Sequence, residues 1–212
     1  MISPDFVHLL RERLQRPLPG IAAQARLSPR PRTAVHPSMT LDDLRAAAAL
    51  VLLYRHDDRW CVPLTVRGAA LRHHGGQVSL PGGRIDPGES PEQTALREAF
   101  EEIGVAPGEV DVLGRLTPLP IAVSGHLLYP VVGVTAARPP FVVGEHEVDR
   151  IIEAPLSRLR GADAIAWETR ERLIPPLGPM DVPFFEVDGA RIWGATAMVL
   201  AEFVAVVDSV DS

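Results

Sequence analysis

The chain has 212 residues, of which 46% are apolar and 23% are charged, as is ordinary for a soluble globular protein with one sizeable core. Its net charge of −6 argues against a nucleic-acid-binding scaffold, because such proteins carry a basic face. Cys61 is the only cysteine, which excludes an intrachain disulfide, and the longest apolar run, Ala46 to Tyr54, is far shorter than the ~20 residues of a membrane span, so a soluble cytoplasmic protein is expected.

The first 40 residues are predicted to form a leader that precedes a main domain of residues 41–212. Ser3-Pro4 can cap a first helix that runs to about Gln15. The apolar side of this helix consists of Phe6, Leu9 or Leu10, and Leu14. The next segment, Arg16 to Ser38, is rich in proline and arginine and is expected to be extended or to wrap the domain. An anion-binding role for its arginines is the alternative to an irregular connector.

Strands mixed with a few helices are predicted for the rest of the chain. Ala46 to Tyr54 is almost continuously apolar, which is typical of a strand buried on both faces, although its alanines also allow helix up to about Ala48. The other predicted strands are Trp60 to Val66, Val110 to Leu116, Leu127 to Thr135, Val148 to Ala154, Ile165 to Leu173, Pro183 to Val187 and Arg191 to Trp193. Cys61 lies in an apolar run and is interpreted as a packed thiol.

The end of the chain is predicted to contain a hairpin and a buried helix. Asp188-Gly189 suits a two-residue turn between the last two strands, and Ile165 to Leu173 is expected to pair near them. A short helix is predicted around Pro155 to Leu159, and a helix that is apolar nearly all round from Thr196 to about Val207. These elements indicate one α/β layered domain.

The stretch from Gly83 to Val105 is predicted to be a loop that leads into a short helix. Ser90 is a good N-cap, Pro91 suits the first helical position, and Gln93 completes a capping box. Gly104 is placed to end the helix. The helix should therefore run from about Pro91 to about Ile103.

The two faces of this helix differ in polarity. An apolar stripe at helical spacing is formed by Leu96, Ala99, Phe100 and Ile103. The opposite side carries Glu98, Glu101 and Glu102, whose repulsion Arg97 offsets only in part. Either this is a solvated acidic face, or it is a site for a hard divalent cation such as Mg²⁺ or Mn²⁺, which prefers oxygen ligands.

The spacing of the stretch resembles the Nudix box, G-x5-E-x7-R-E-u-x-E-E-x-G-u, in which u is apolar. The matching residues are Gly83, Glu89, Arg97, Glu98, Glu101, Glu102, Gly104 and Val105. The resemblance implies a Nudix-like α/β/α sandwich with a mixed β-sheet in a single domain. It also implies Mg²⁺ or Mn²⁺ as cofactor, with Glu98, Glu101, Glu102 and Gly83 as the metal-binding residues.

A second group of residues lies upstream of the box. It consists of Leu64-Thr65-Val66-Arg67-Gly68, Arg72, Gly76 and Leu80-Pro81-Gly82-Gly83. Arg67 and Arg72 can each bind phosphate through a planar fork of donors, and glycine permits close approach of a ligand; a mobile loop with incidental arginines is the alternative.

This group resembles the coenzyme A pyrophosphatase signature of the Nudix family, L-L-T-x-R-S-x3-R-x3-G-x3-F-P-G-G. Pro63, Gly68 and Leu80 stand where leucine, serine and phenylalanine are usual. The resemblance implies substrate binding by Arg67, Arg72, Gly76, Gly82 and Gly83. It also implies hydrolysis of coenzyme A, with acyl-CoA as a further option, to 4′-phosphopantetheine and adenosine 3′,5′-bisphosphate.

The catalytic residues implied by the resemblance are Arg97, Glu98, Glu101, Glu102 and, as a candidate general base, Glu145. The alternatives are a Nudix hydrolase of another diphosphate derivative, such as NADH, ADP-ribose or a nucleoside triphosphate, and a non-catalytic ligand sensor. The expected partner is a small-molecule substrate, with no nucleic acid and no membrane. A monomer and a homodimer are both compatible with the sequence.

Several side chains have a functional and a structural interpretation. Arg97 either holds the carboxylates in place or forms a plain salt bridge within the helix. Glu89 either assists metal binding through a water molecule or orients the loop, or it only caps the N-terminus of the helix. Glu145 and Glu147 are candidate bases or surface residues. His73 and His74 are candidates for phosphate contact or proton transfer, and the alternative is that they are exposed residues of a loop. Trp193 either packs in the core or stacks on adenine.

Overall fold

The computed structural model describes residues 5–31, 40–68, 77–144, 148–171 and 178–211. Its α-helices are α1 (Phe6–Leu14), α2 (Gly20–Gln24), α3 (Pro91–Ile103), α4 (Leu156–Leu159) and α5 (Gly194–Asp208). Its strands are β1 (Arg45–His56), β2 (Arg59–Arg67), β3 (Val78–Ser79), β4 (Gly82–Arg84), β5 (Asp111–Arg115), β6 (Leu119–Ile121), β7 (His126–Val134), β8 (Val148–Pro155), β9 (Ile165–Arg170), β10 (Met180–Val187) and β11 (Ala190–Trp193). Short 3₁₀-helices span Ala25–Leu27, Leu41–Asp43, Pro107–Glu109 and Ala162–Ala164.

Within the described residues, eight strands form one mixed sheet with β1 at its centre. Its main order is β3-β2-β1-β7-β5, while β4 pairs with β1, β6 with β7 and β8 with β2. The β1–β7 pair is parallel, and the other pairs are antiparallel. A second sheet has the order β11-β10-β9. Its hairpin turns at Asp188 and Gly189, as predicted, with positive φ at both residues.

Strand β1 is buried on both faces, which confirms the prediction from its apolar run. One face packs against α3 through Ala48, Leu50 and Leu52. The other face joins the larger core, together with side chains of α1 and α5, through Ala49, Val51 and Leu53. The helix alternative for Ala46 to Ala48 is therefore wrong. Because helices cover both faces of a mixed sheet, the predicted α/β/α sandwich is confirmed.

Of the two expectations for the leader, an extended segment is wrong for residues 20–27, which form α2 and a 3₁₀ turn, while these residues do wrap the domain by packing on α5. A buried carboxyl group on α5 gives the physical reason. The carboxylate of Glu202 accepts hydrogen bonds from Gly20 N (3.0 Å) and Gln24 Nε2 (2.8 Å), and a buried carboxylate requires such partners. Residues 32–39, together with Ser3 and Pro4, lie outside the described residues. The boundary at residue 40 stays a prediction.

The other predicted elements are found with ends shifted by a few residues. α1 buries Phe6, Leu10 and Leu14, and β10 begins upstream of the predicted Pro183. The strand predicted from Ile165 ends at Arg170, and residues 172–177 lie outside the described residues. Strands β3, β4 and β6 were not predicted, since such short strands are defined by their partners. Among the described residues, no helix has both the length and the apolarity to cross a membrane.

Cys61 is buried within β2, and the packed-thiol interpretation is confirmed. Burial is the main reason that the pKa of its thiol is raised, and nearby Glu153 adds to the effect. A thiol with a raised pKa is a poor nucleophile at neutral pH.

Candidate active site

Helix α3 begins and ends where its capping residues predict. Ser90 Oγ accepts a hydrogen bond from Gln93 N (3.2 Å), and Gln93 Oε1 accepts one from Ser90 N (2.8 Å). Gly104 follows the last turn in the left-handed conformation, with φ 73°. The predicted bounds, Pro91 and Ile103, are therefore confirmed.

The buried face of α3 differs from the predicted stripe. Ala95, Ala99 and Ile103 are fully buried, whereas Phe100 is 55% exposed, so its assignment to the stripe is wrong. The small side chains of Ala95 and Ala99 allow the helix to pack closely on β1, and Leu96 is only partly buried.

The residues that α3 buries against the sheet determine which of its carboxylates lie close to the sheet. Glu98 follows Ala95 by three residues and Glu102 follows Ala99 by three, so both lie at the border of the buried face. The Glu98 side chain is 17% exposed, whereas that of Glu101 is 55% exposed. The three acids therefore have different environments.

Two glycines of β4 create the space in which Glu98 lies. Gly83 pairs with Ala48 of β1, and a Cβ on Gly83 would overlap the carboxylate of Glu98. A Cβ on Gly82 would overlap the carbonyl of Ala48. Any other residue at these positions would have to move the strand or the carboxylate, so both predicted glycines have a steric role.

One guanidinium, that of Arg97, binds three carboxylates. Its Nε donates to Glu89 (2.9 Å), and its Nη1 donates to Glu98 (2.8 Å) and to Glu101 (3.2 Å). The hydrogen bond to Glu89, followed by those to Glu98, raises the pKa of Arg97 above its already high value. The two interpretations of Arg97 thus describe one arrangement, since it holds the carboxylates and forms the helix salt bridge with Glu101.

Glu89 fixes the loop that precedes α3. It accepts hydrogen bonds from Thr94 Oγ1 (2.6 Å), from Arg97 Nη2 (3.1 Å) and, at a longer distance, from Asp86 N (3.4 Å). The hydrogen bonds from Arg97 and then from Thr94 lower the pKa of Glu89 to about 2, so it is ionised at neutral pH. Thr94 is fully buried and was missed, because a threonine inside a helix gives no motif signal.

The residues of the site fit a hard cation by their chemistry. The donors are carboxylate oxygens, which Mg²⁺ and Mn²⁺ prefer, and Glu102 adds an Oε2 atom that is shielded from solvent. In the arrangement described, Glu98 and Glu101 are bound to Arg97. Accordingly, no three acidic, histidine or cysteine side chains of the described residues converge in a coordinating group. Glu101 is the more exposed of these two acids and is therefore the easier one to rearrange towards an ion.

A connecting segment, residues 138–144, leads the chain back to the end of α3. Val142 N donates to Ile103 O (3.1 Å), and Gly144 N donates to Glu102 O (3.0 Å). A Cβ on Gly144 would overlap the carbonyl of Glu101, so this glycine has a steric role that the sequence analysis missed. Glu145 and Glu147 lie outside the described residues.

The second group of predicted residues is described in part. Arg67 ends β2 and pairs with Val148 of β8, and its backbone N donates to Gln77 O (3.0 Å). Strand β3 begins at Val78, and β4 with its two glycines comes next. The remaining predicted residues of this group, Arg72, Gly76, His73 and His74, lie outside the described residues.

Trp193 ends β11 and is partly buried. The guanidinium carbon of Arg170 lies 4.3 Å from the centroid of its ring. The ring therefore belongs neither wholly to the core nor to an open surface.

Comparison with known proteins gives consistent matches. The NUDIX domain family model matches residues 44–172. Nudix hydrolase NudL of Pectobacterium atrosepticum is 47% identical over 113 residues, which cover 53% of this chain and 58% of that protein. Nudix hydrolase 3 of Caenorhabditis elegans is 32% identical over 180 residues, which cover 78% of this chain and 75% of that protein. The match to NudL thus spans less than two thirds of the relative's length.

A solved structure has a similar fold over nearly the whole chain. The crystal structure of a MutT/nudix family protein from Enterococcus faecalis aligns with a TM-score of 0.50 at 18% identity. The alignment covers 98% of this chain and 76% of that protein. At this identity the likeness concerns the fold alone.

Proposed function

Because the chain belongs to the NUDIX domain family, we propose that it is a divalent-metal-dependent pyrophosphatase that hydrolyses coenzyme A. Acyl-CoA is a further proposed substrate, and the products are 4′-phosphopantetheine and adenosine 3′,5′-bisphosphate. The position of Glu98 carries the proposal, because its carboxylate fills the space above Gly83 and shares Arg97 with Glu89 and Glu101. A face that only contacts solvent would need no glycine beneath one of its acids.

Glu98, Glu101 and Glu102, with the carbonyl of Gly83, are the proposed ligands of Mg²⁺ or Mn²⁺. When bound, such an ion offsets phosphate charge and lowers the pKa of an attacking water. Glu101 can leave Arg97 at small cost, since its side chain is 55% exposed and exposed ion pairs are worth about 0–1 kcal/mol. Arg97 would still hold Glu98 and Glu89, which keeps the loop and the helix in register.

The pyrophosphate is proposed to lie on Arg67, Arg72, Gly76, Gly82 and Gly83. Arginine supplies a planar fork that matches phosphate oxygens, and glycine lets the ligand approach the backbone. Glu145 is the proposed general base, since it follows Gly144, whose amide binds the carbonyl of Glu102. Arg67 lies opposite Val148, the first described residue after Glu145.

A second candidate is hydrolysis of another diphosphate derivative, such as NADH, ADP-ribose or a nucleoside triphosphate. Gly68 and Leu80 favour it, because they replace the serine and phenylalanine of the coenzyme A signature. A non-catalytic sensor is disfavoured by the complete set of box glutamates.

A substrate panel tests the proposal. The protein is incubated with coenzyme A, acyl-CoA, NADH, ADP-ribose and nucleoside triphosphates in Mg²⁺ or Mn²⁺, and the products are identified by mass spectrometry. We expect cleavage of coenzyme A to the two named products and none after chelation of the metal. Strong turnover of ADP-ribose with coenzyme A untouched would overturn the substrate assignment, and binding of nucleotides without any cleavage would support the sensor.

A further inference from the structure

A cluster of charged and aromatic side chains on the second sheet has no role in the proposed chemistry. It consists of Glu168 and Arg170 on β9, Phe184 on β10, and Arg191 and Trp193 on β11. We call it the Trp193 cluster. The register places all five residues on one face, because Trp193 pairs with Phe184, Arg191 with Glu186, Glu168 with Val182 and Arg170 with Met180.

Side chains of the two outer strands, β9 and β11, contact one another above the central strand β10. Arg170 lies 4.3 Å from the ring centroid of Trp193, and Arg191 lies 5.1 Å from that of Phe184. Both arginines also donate to the carboxylate of Glu168. Glu186 lies opposite Arg191 on the same face, so two guanidinium groups and two carboxylates leave this face formally balanced in charge. Arg170 and Trp193 are only partly buried, so part of the stack remains open to a ligand.

The cluster lies near β3, which leads to the glycines of the candidate active site. Trp193 directly precedes α5, and Thr196 in the first turn of that helix donates to Val78 O (3.2 Å). Val78 is five residues from Gly83, so the chain between them spans at most about 18 Å. The cluster thus lies beside the part of the chain that leads into the candidate active site.

We propose that the Trp193 cluster binds the nucleoside phosphate end of the substrate. The base stacks on the guanidinium plane of Arg170, which Trp193 supports from its other side. A phosphate monoester on the ribose accepts hydrogen bonds from the guanidinium of Arg191, which is 53% exposed, while Glu168 aligns the two forks. The proposal rests on the proposed function for the identity of the substrate, but the recognition of a base beside a phosphate follows from the cluster itself.

The structural alternative is that the charged and aromatic side chains of the cluster only cover the buried apolar residue Val182 and the buried ring of Phe184. The chain contains a matched control for this alternative. Arg30 lies 4.9 Å from the ring centroid of Trp167, so the same two residue types stack there. Trp167 pairs with Pro183 and therefore lies on the opposite face of the sheet.

The first experiment measures binding without turnover. Calorimetric titration of adenosine 3′,5′-bisphosphate, without metal, is compared for wild type, Trp193→Leu and Arg170→Gln, with Trp167→Leu and Arg30→Gln as controls. We expect Kd to rise about tenfold in both cluster variants, since one stacked base contributes that order of affinity and either change disrupts the Arg170–Trp193 stack that holds it. Both controls should have the Kd of wild type. The Kd of Arg170→Lys should lie between those of wild type and Arg170→Gln, because lysine keeps the positive charge but has no planar guanidinium group.

A second variant and thermal unfolding curves check that a loss of binding does not result from misfolding. Trp193→Phe keeps an aromatic ring and should bind more tightly than Trp193→Leu at a similar melting temperature. If Trp193→Leu fails to fold, Trp193→Phe and Arg170→Gln carry the test. No binding by wild type, an unchanged Kd in the cluster variants, or an equal loss in the controls would overturn the proposal.

Kinetics separate this inference from the proposed function. With coenzyme A, the cluster variants should show a KM raised about tenfold and a kcat within about twofold of wild type. If wild type binds the bisphosphate through the cluster but does not cleave coenzyme A, the proposed function fails and the subsite stands. If wild type cleaves coenzyme A and the cluster variants keep its KM, the subsite fails and the function stands.

Discussion

Two arginine–carboxylate centres lie towards opposite ends of β1, and they differ in charge balance. Near the start of the strand, Arg97 is shared by three carboxylates, so these four side chains carry a formal charge of −2. Near its end, Glu153 alone accepts from Arg138 (2.7 and 2.8 Å) and from the hydroxyl of Tyr54 (2.8 Å). His56 Nδ1 lies 3.2 Å from the same carboxylate.

The difference separates a structural ion pair from a candidate ligand site. Hydrogen bonds from Arg138 hold the pKa of Glu153 below its usual range, while burial and then the Glu153 contact raise the pKa of Tyr54. Each charge at that centre has its partner within the fold, so no ligand is needed. At Arg97 the excess of acids is what a cation from solution would compensate.

The connecting segment 138–144 joins the two centres. Arg138 lies 5.3 Å from the ring centroid of Phe141, which meets Tyr54 edge-on at 5.2 Å. The same segment then reaches α3, where Gly144 binds the carbonyl of Glu102. A change at the remote centre can therefore be tested for its effect on stability and on turnover separately.

The largest expected effect comes from matched substitutions at the two centres. Glu98→Gln should lower kcat by about a hundredfold or more and leave the free energy of unfolding unchanged, because it removes a proposed metal ligand but keeps the shape of the side chain. Glu153→Gln should keep kcat within about twofold and lower the free energy of unfolding by about 1–3 kcal/mol, since Arg138 loses its charged acceptor. For both variants, kcat is measured on the substrate that the panel identifies, and the free energy of unfolding is measured by urea unfolding. Equal losses of turnover would contradict the distinction.

A smaller effect is expected from the glycine beneath Glu98. Gly83→Ala should lower turnover about tenfold to a hundredfold and raise the Mn²⁺ concentration for half-maximal activity, because its Cβ displaces the Glu98 carboxylate. Gly108→Ala is the control, since a Cβ there meets nothing within 4 Å. Unchanged activity and metal dependence in Gly83→Ala would show that the position of Glu98 does not matter.

Local signals explain which parts of the site could be predicted. The ends of α3 follow from Ser90, Gln93 and Gly104, each of which acts within its own turn of chain. The box spacing in turn pairs Gly83 with Glu98, whose carboxylate lies beside this glycine. By contrast, the exposure of Phe100 could not be predicted, because stripes with and without it have the same period. The small residues Ala95 and Ala99, packed against β1, decide between them.

Contacts between distant residues explain what the sequence did not predict. The helical turn at Gly20 depends on Glu202, 182 residues away, and no local pattern encodes such a partner. Likewise, Trp193 meets Arg170 only because β9 and β11 flank β10. The layered α/β class was thus accessible from periodicity and the sandwich from the resemblance of the box, whereas the proposed nucleoside subsite required the strand order.

The smallest expected effect is on acid stability, through Arg138→Gln at the balanced centre. In the folded chain the pKa of Glu153 is held below its ordinary 4.5, so the ionised carboxylate stabilises the fold above that pH. This contribution is lost as the pH falls through the lower, folded pKa. The variant should lose about 1 kcal/mol at neutral pH, since the pair is partly exposed, and turnover there should be unchanged.

Urea unfolding of wild type and Arg138→Gln at a series of pH values checks this expectation. The two free energies of unfolding should converge as the pH falls through the lowered pKa of Glu153, because the carboxyl group is then protonated in both proteins. Arg16→Gln, which removes an exposed pair with Glu12 (3.7 Å), should match wild type throughout. If the difference persists in acid, Arg138 acts by packing on Phe141 rather than through its charge. The contrast between the two centres would then rest on Arg97 alone.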